Sequence, residues 1–363
     1  MAKKVTADDL QTCTAENICV IKPSAFGDVV QCLTLLPVLR RRFPNAKITW
    51  VINRELTGIL EGHPDLDELI PFERRGNLKD WRSLLRKLRK GNFDLVFDLQ
   101  GLLRSGFMTM TTAAPLRVGL ETAREGAHLA CNITLPDTDK SVPAFARNWR
   151  VAEALGLGDL TPETIINIPD EDRQWAREQL AELKRPILAV HPGARWVTKL
   201  WPVESFAVVC TRAVRQWECS VLLLGGSGER KRCEELEKII HRLHPGAQVL
   251  NLAGGTTIKQ LCALTHEIRW MLTNDSGPMH LAAGLGKQVI GVFTCTSPVR
   301  SGPPGAHHAL VATDVPCAAS YFKKCPNHGQ EFMCCMEDLS SEKVWQAFES
   351  LVNRDQNVLG ATA

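Results

Sequence analysis

Short, almost unbroken apolar runs recur along the chain, each ending in a turn of small residues and leading into a helical pattern. Five lie at 18–22, 47–53, 68–72, 94–100 and 116–120; six more lie at 186–193, 220–226, 248–254, 268–274, 288–294 and 309–313. Runs this short and this apolar are expected of parallel strands buried on both faces. Helical spacing between them, as at 28–42, 203–216, 229–243 and 257–266, makes the fold class α/β with doubly wound sheets. Two such series imply two Rossmann-like domains facing a central cleft. The join is expected near 161–172, a polar stretch with two prolines. We therefore divide the chain into 1–168, 169–339 and a C-terminal helix and tail, 340–363. The helix, 340–352, opens on a serine cap and is expected to pack back on the N-terminal domain. The tail beyond it is polar and expected to be disordered.

At 363 residues, 44% hydrophobic and 23% charged, the chain has the balance of a soluble globular protein. Its apolar runs are too short or too interrupted to span a bilayer. The first 17 residues carry Lys3 and Lys4 but no apolar core behind them, so they do not read as a signal peptide and a cytoplasmic protein is expected. Thirteen cysteines, an odd number, then point to reduced thiols rather than a disulfide framework. A net charge of +3 gives no argument for a nucleic-acid partner.

In open α/β sheets, ligands sit at the carboxyl ends of the strands. The junctions there read "KPSAFGD", "VHPGARWVTK", "LLGGSGE", "NLAGGTT", "TNDSGPMH" and "FTCTSPVR". Glycine and small hydroxyl residues dominate them, which leaves backbone N–H groups accessible to an anion. No GxGxxG follows the first strand and no GxxxxGK[ST] occurs, which argues against dinucleotide oxidoreductases and P-loop NTPases.

Taken in order, "IKPSAFGDVVQCLTLLPVLRRRFPNAKI", "VHPGARWVTKLWP", "LLGGSGE", "NLAGGTTIKQLCAL", "NDSGPMHLAAGLGKQVIGVF" and "TSPVRSGP" resemble the ADP-heptose:lipopolysaccharide heptosyltransferase family, glycosyltransferase family 9. The resemblance implies a GT-B architecture, with acceptor on the first domain and sugar nucleotide mainly on the second. It implies inverting transfer without a metal or other cofactor. The expected partners are ADP-heptose, a glycolipid or glycan acceptor of the lipopolysaccharide core, and the anionic inner face of the cytoplasmic membrane.

Each candidate residue also has a plainer reading. Asp28 with Gln31 has the pattern of a helix cap; the resemblance implies the general base that takes the acceptor hydroxyl's proton. Lys199 reads as a solvated lysine or, by resemblance, as the cation that meets the donor diphosphate. Thr198 and Arg195 flank it, and Gly193 opens its loop. Ser276 or Gly277 reads as a helix cap with Pro278 in the first turn, or as a turn whose N–H groups hold a phosphate. Asp275 would repel that phosphate and is assigned to orienting the loop or to a sugar hydroxyl. His280 is either core or a ligand contact. Gly225, Gly226 and Ser227 form a second glycine turn, expected near the nucleoside.

Three further features stay outside the proposed chemistry. Asp65 and Asp67 form a DxD read as coincidental. Residues 78–90 form a basic amphipathic helix, either core-packed with a solvated face or aimed at an anionic membrane. Cys317, Cys325, Cys334 and Cys335 cluster near His328; packing residues are the default and a structural metal or redox staple is the alternative. Competing functions are a GT-B transferase or epimerase using a UDP- or GDP-sugar, and a non-catalytic nucleotide-sugar-binding protein.

Overall fold

The computed structural model describes residues 9–361, with side chains through 354. The first eight residues, part of the stretch read for a leader, and the last two of the expected tail lie outside the described residues.

Two compact units, Met1–Asn167 and Ile168–Ala363, divide the chain. The first holds β1 (Asn17–Ile21), β2 (Lys47–Asn53), β3 (Glu68–Phe72), β4 (Leu95–Asp98), β5 (Leu116–Leu120) and β6 (Ile133–Leu135) in the order β3-β2-β1-β4-β5-β6. The second holds β7 (Ile187–His191), β8 (Ser220–Leu223), β9 (Val249–Asn251), β10 (Trp270–Asn274), β11 (Gln288–Phe293) and β12 (Ala309–Ala312) in the order β12-β11-β10-β7-β8-β9. Both sheets are wholly parallel. The apolar runs do what their composition demands. Ile18, Cys19, Ile21, Leu188, Ala189, Val190, Leu272 and Val289 are fully buried because helices cover both faces.

The structure departs from the sequence reading in a few places. Edge strand β6 has only three residues, one of them exposed, too little periodicity to stand out. The helical pattern at 28–42 is two helices, Phe26–Cys32 and Leu35–Arg42. Pro37 has no N–H to continue the first one, so the chain resets at Leu33–Thr34. The last helix runs Ser341–Ala361, continuing past 352 because no proline or glycine stops it before Gly360.

That helix also corrects the expectation that it packs on the first domain. Its apolar stripe, Val344, Trp345, Phe348, Leu351 and Val352, is buried in the core of the second unit. The cause is a matching aromatic surface. Trp217 lies 5.0 Å from the Trp345 ring and 4.8 Å from Phe348, and Trp270 lies 5.5 Å from Phe348. No helix among the described residues is long and apolar enough to cross a membrane.

Candidate active site

In the second unit the site grows from the carboxyl ends of β7 and β10. β7 ends at His191 and the chain leaves it as a loop, 192–201. Two side chains, the buried Asn274 and the half-buried Arg232, pin both ends of that loop. Asn274, the last residue of β10, donates to the Pro192 carbonyl at 2.7 Å and accepts from the Trp201 N–H at 3.2 Å. Arg232, from helix Arg230–Leu243, donates to the same Pro192 carbonyl at 2.9 Å and to the Trp201 carbonyl. Four hydrogen bonds to two residues fix the loop mouth, so what the loop carries is held in place before any ligand arrives.

The loop carries Lys199. Its ammonium lies 2.6 Å from Asp275 Oδ2 and 4.8 Å from the centre of the Trp196 ring. The two charged side chains are only 16% and 7% exposed, so this is an ion pair largely out of water and not a solvated lysine. Each charge needs the other there. The Asp275 N–H is itself tied to the Val292 carbonyl at 3.2 Å. Asp275 thus orients the lysine as well as its own loop. Thr198 turns inward: its hydroxyl donates to the Phe322 carbonyl at 2.7 Å, and its carbonyl accepts from Thr294 Oγ1 at 2.5 Å. Arg195 is exposed at the loop's crest.

Ser276 stands at the N-cap of helix Gly277–Gly284 in extended backbone, yet its side chain makes no cap bond. Its hydroxyl bonds instead to His191 Nδ1 at 3.2 Å and to Thr273 Oγ1 at 3.0 Å. Burial pushes the His191 pKa down, with Glu229 pulling the other way, which favours a neutral ring beside the serine. A cap whose hydroxyl is engaged elsewhere leaves the first-turn N–H groups unserved by that side chain, and such a terminus attracts an anion. His280 is buried on this helix, within electrostatic reach of His308.

The second glycine turn is built around Glu229, which sequence reasoning passed over. A Cβ on Gly193 would fall 2.5 Å from Glu229 Cγ, one on Gly225 3.0 Å from its Cβ, and one on Gly226 3.1 Å from Oε2. The Gly226 N–H donates to the Glu229 carboxylate. Three predicted glycines therefore make room for one acidic side chain, while Ser227 is exposed. The signal was present in "GGSGE": an acid three residues after a glycine at a helix start is a capping position. Asn274 and Arg232 were missed as well. A polar residue ending an otherwise apolar strand was the only trace of the first.

In the first unit, Asp28 is exposed, three residues inside helix Phe26–Cys32. It is not the N-cap itself: its carboxylate reaches back and accepts the Ala25 N–H at 3.0 Å. The same loop gives Pro23 and Ser24 to a cavity of about 660 Å³ at the carboxyl ends of β1 to β4. Phe72, Trp81, Leu102 and Phe107 supply apolar walls, and Arg74 and Arg104 supply charge. Arg104 lies over the Phe72 ring at 5.4 Å.

A family model described as glycosyltransferase family 9 (heptosyltransferase) matches residues 81–330. The chain belongs to glycosyltransferase family 9. It is 28% identical to the lipopolysaccharide core heptosyltransferase OpsX of Haemophilus influenzae, over 79% of this chain and 82% of that protein. Its fold matches the family 9 glycosyltransferase of Veillonella parvula with a TM-score of 0.79 at 24% identity, covering 93% and 97% of the two chains. It also matches E. coli heptosyltransferase WaaC with ADP-2-deoxy-2-fluoro heptose, at a TM-score of 0.68 and 20% identity over 92% and 99%. The two parallel six-stranded sheets are thus the GT-B arrangement of family 9 enzymes.

Two sequence features find structural employment around this family 9 scaffold. Asp67 of the DxD accepts from Arg40 and from the Ile48 N–H, each at 2.7 Å, so it staples a loop. All thirteen cysteines are unbridged, and no group of three or more His, Cys, Asp or Glu among the described residues is arranged to hold a metal ion. Cys317, Cys325 and Cys335 line a small cavity with Cys295 and Thr198. Cys334 is within electrostatic reach of Cys317 and Cys325. The cysteine segment therefore buttresses the loop bearing Lys199.

Proposed function

We propose that this family 9 enzyme transfers heptose from ADP-heptose to a hydroxyl of a lipopolysaccharide-core acceptor, with inversion and without a metal. The second unit takes the donor and the first unit the acceptor. The observation that carries this reading is the fixed Lys199–Asp275 pair beside a helix start whose cap hydroxyl is engaged elsewhere. One cation and open N–H groups suit a leaving diphosphate, where charge builds in the transition state. Glu229, at the mouth of the glycine turn, suits the vicinal hydroxyls of a ribose. Asp28 is exposed and suits the base that removes the acceptor proton as the oxygen attacks the anomeric carbon. Arg74 and Arg104 in the first unit's cavity suit an anionic acceptor, and its apolar walls suit a sugar's C–H face. The heptose nucleotide is carried over from the ligand named for the E. coli structure, and the acceptor from the name of the Haemophilus relative.

The test is a panel of ADP-, UDP- and GDP-sugars with a heptose-accepting core oligosaccharide, in the presence of a chelator, read by released nucleotide and product mass. ADP release with a mass gain of one heptose is the expected result. UDP release, epimerised donor, or loss of turnover on chelation would overturn the corresponding part of the reading.

A further inference from the structure

The amino edge of the second sheet, opposite the candidate active site, is lined with cations. Three neighbouring strands there each enter the sheet behind a basic residue: Arg185 before β7, Arg269 before β10 and Lys287 before β11. These three and Gln288 line a cavity of about 560 Å³. One carboxylate lines it, that of Glu267, and it is already taken: it pairs with Arg185 at 3.1 Å and with Arg177, from helix Asp170–Gln179, at 3.6 Å. The first sheet, with the same strand order, finishes this edge the other way. The residue before β4 is Asp94, whose Oδ2 accepts the Glu16 and Asn17 N–H groups at 2.8 and 2.9 Å. β10 holds the same place in the second sheet and has Arg269 before it.

Two of the lining groups are left without a partner. Basic residues near a helix end commonly serve its last carbonyls, and Arg185 does so, donating to the Glu267 carbonyl at 2.7 Å. Lys287 does not. It is half-buried, yet its ammonium makes no hydrogen bond or ion pair among the described residues. Burial pushes its pKa down against the pull of Glu267, and Arg185 adds to the fall. His266, on the last turn of helix Ile258–Glu267, is also held low, by burial first and then by Lys287 and Arg173. Both shifts report positive charge that Glu267 does not cancel. Gln288 is 9% exposed, and its Oε1 accepts the Trp270 indole N–H at 3.0 Å. Its amide nitrogen has no partner among the described residues, and a buried donor is costly to leave unserved.

We infer that this edge is a second anion site, which takes a small oligophosphate: Arg185, Arg269 and Lys287 meet its charges and the Gln288 amide donates to one of its oxygens. Guanidinium forks and an ammonium suit phosphate oxygens. The cavity is larger than one phosphate fills and lies within the range of small-molecule sites. It is not the donor site. Lys199 and Asp275 stand at the carboxyl ends of the same strands, beyond the five residues of β7, about 16 Å of strand. The inference therefore stands apart from donor and acceptor identity.

The test is titration calorimetry of the full chain with inorganic pyrophosphate, with and without saturating ADP. Saturable one-to-one binding is expected beside ADP. Lys287→Gln should weaken it by about tenfold or more, Lys287→Arg should hold it within about threefold, and Lys199→Met should leave it unchanged. Arg269→Gln, at an exposed residue, should weaken it too without touching the half-buried lysine, which keeps the test sharp if Lys287→Gln lowers the thermal midpoint. Absence of a site beside ADP, or full affinity in either Lys287→Gln or Arg269→Gln, would overturn the inference. So would a loss confined to Lys199→Met, which would assign the pyrophosphate to the donor turn. Failure of ADP to bind would count against the donor reading alone, because the titrations without ADP still tell a Lys287-dependent site from a Lys199-dependent one.

Discussion

The two sheets share one strand order, each running outward in both directions from the first strand of its unit, yet their carboxyl edges are finished differently. In the second unit the edge is bonded up in advance. Asn274 and Arg232 clamp a loop, Asp275 holds Lys199, and Ser276 gives its hydroxyl to His191. In the first unit the corresponding edge is a roomy cavity with apolar walls and unpaired arginines, beside one exposed carboxylate. The same scaffold therefore makes a rigid half suited to one fixed ligand and an open half suited to a larger, variable one. Preorganised charge is most effective where it need not rearrange during reaction.

The largest expected effect tests the open half. Asn at position 28 can still accept the Ala25 N–H, so Asp28→Asn keeps the cap and removes the base. Transfer should fall by about 10³-fold, with donor affinity by titration calorimetry and thermal midpoint both near wild type. Asp28→Ala should add a loss of about 1 kcal/mol in stability as the cap disappears. If Asp28→Asn retained turnover and only the alanine variant suffered, the residue would be a cap and nothing more.

Breaking the rigid half should show a different signature. Lys199→Met leaves Asp275 buried without its partner, so stability should fall by up to about 3 kcal/mol while kcat falls by about 10²-fold. The double variant Lys199→Met/Asp275→Asn removes both charges. It should recover most of the stability, measured by denaturant unfolding, and none of the turnover. Recovery of both would mean that the pair serves only the fold.

How much of this was legible beforehand follows the same division. The eleven strands other than β6 and most of the glycine turns were readable, because burial on both faces forces apolar runs and small turns force glycine. Lys199, Asp275 and Ser276 fall within motifs, so they were found together. Glu229, Asn274 and Arg232 were not, since their role lies in what they touch across the sheet. Nothing local in the sequence of Arg232 distinguishes it from Arg230, which instead bonds to the Gly254 carbonyl. Helix Leu103–Thr112, which buries Ser105, Gly106 and Thr109 and exposes Leu103, Phe107 and Met110, was invisible for the opposite reason. Amphipathic spacing tells which residues share a face, and only packing tells which face is inside.

The smallest expected effect compares the two units at one equivalent place. β4 and β10 each lie next to the first strand of their sheet, and each ends in a buried polar residue, Asp98 or Asn274. Asn274 spends its amide on a neighbouring loop. Asp98 keeps Oδ1 on its own turn, accepting the Gln100 N–H at 3.0 Å and the Gly101 N–H at 2.9 Å. Burial raises the Asp98 pKa, outweighing those N–H groups and the nearby Lys22 ammonium. A carboxyl whose pKa is raised on folding holds its proton more tightly in the folded chain. Stability is then lost as pH rises from the unfolded pKa through the folded one, and the ionised form carries that penalty at neutral pH. Asp98→Asn keeps the Oδ1 acceptor and removes the charge. The balance already contains the attraction to Lys22, so the variant should melt about 2–4 °C higher at pH 7. It should converge with wild type below the ordinary carboxylate range, where Asp98 is protonated in both states. A lower midpoint at pH 7 would show that Lys22 depends on the Asp98 charge more than burial opposes it, and that this strand end is a charged device where its counterpart is a neutral one.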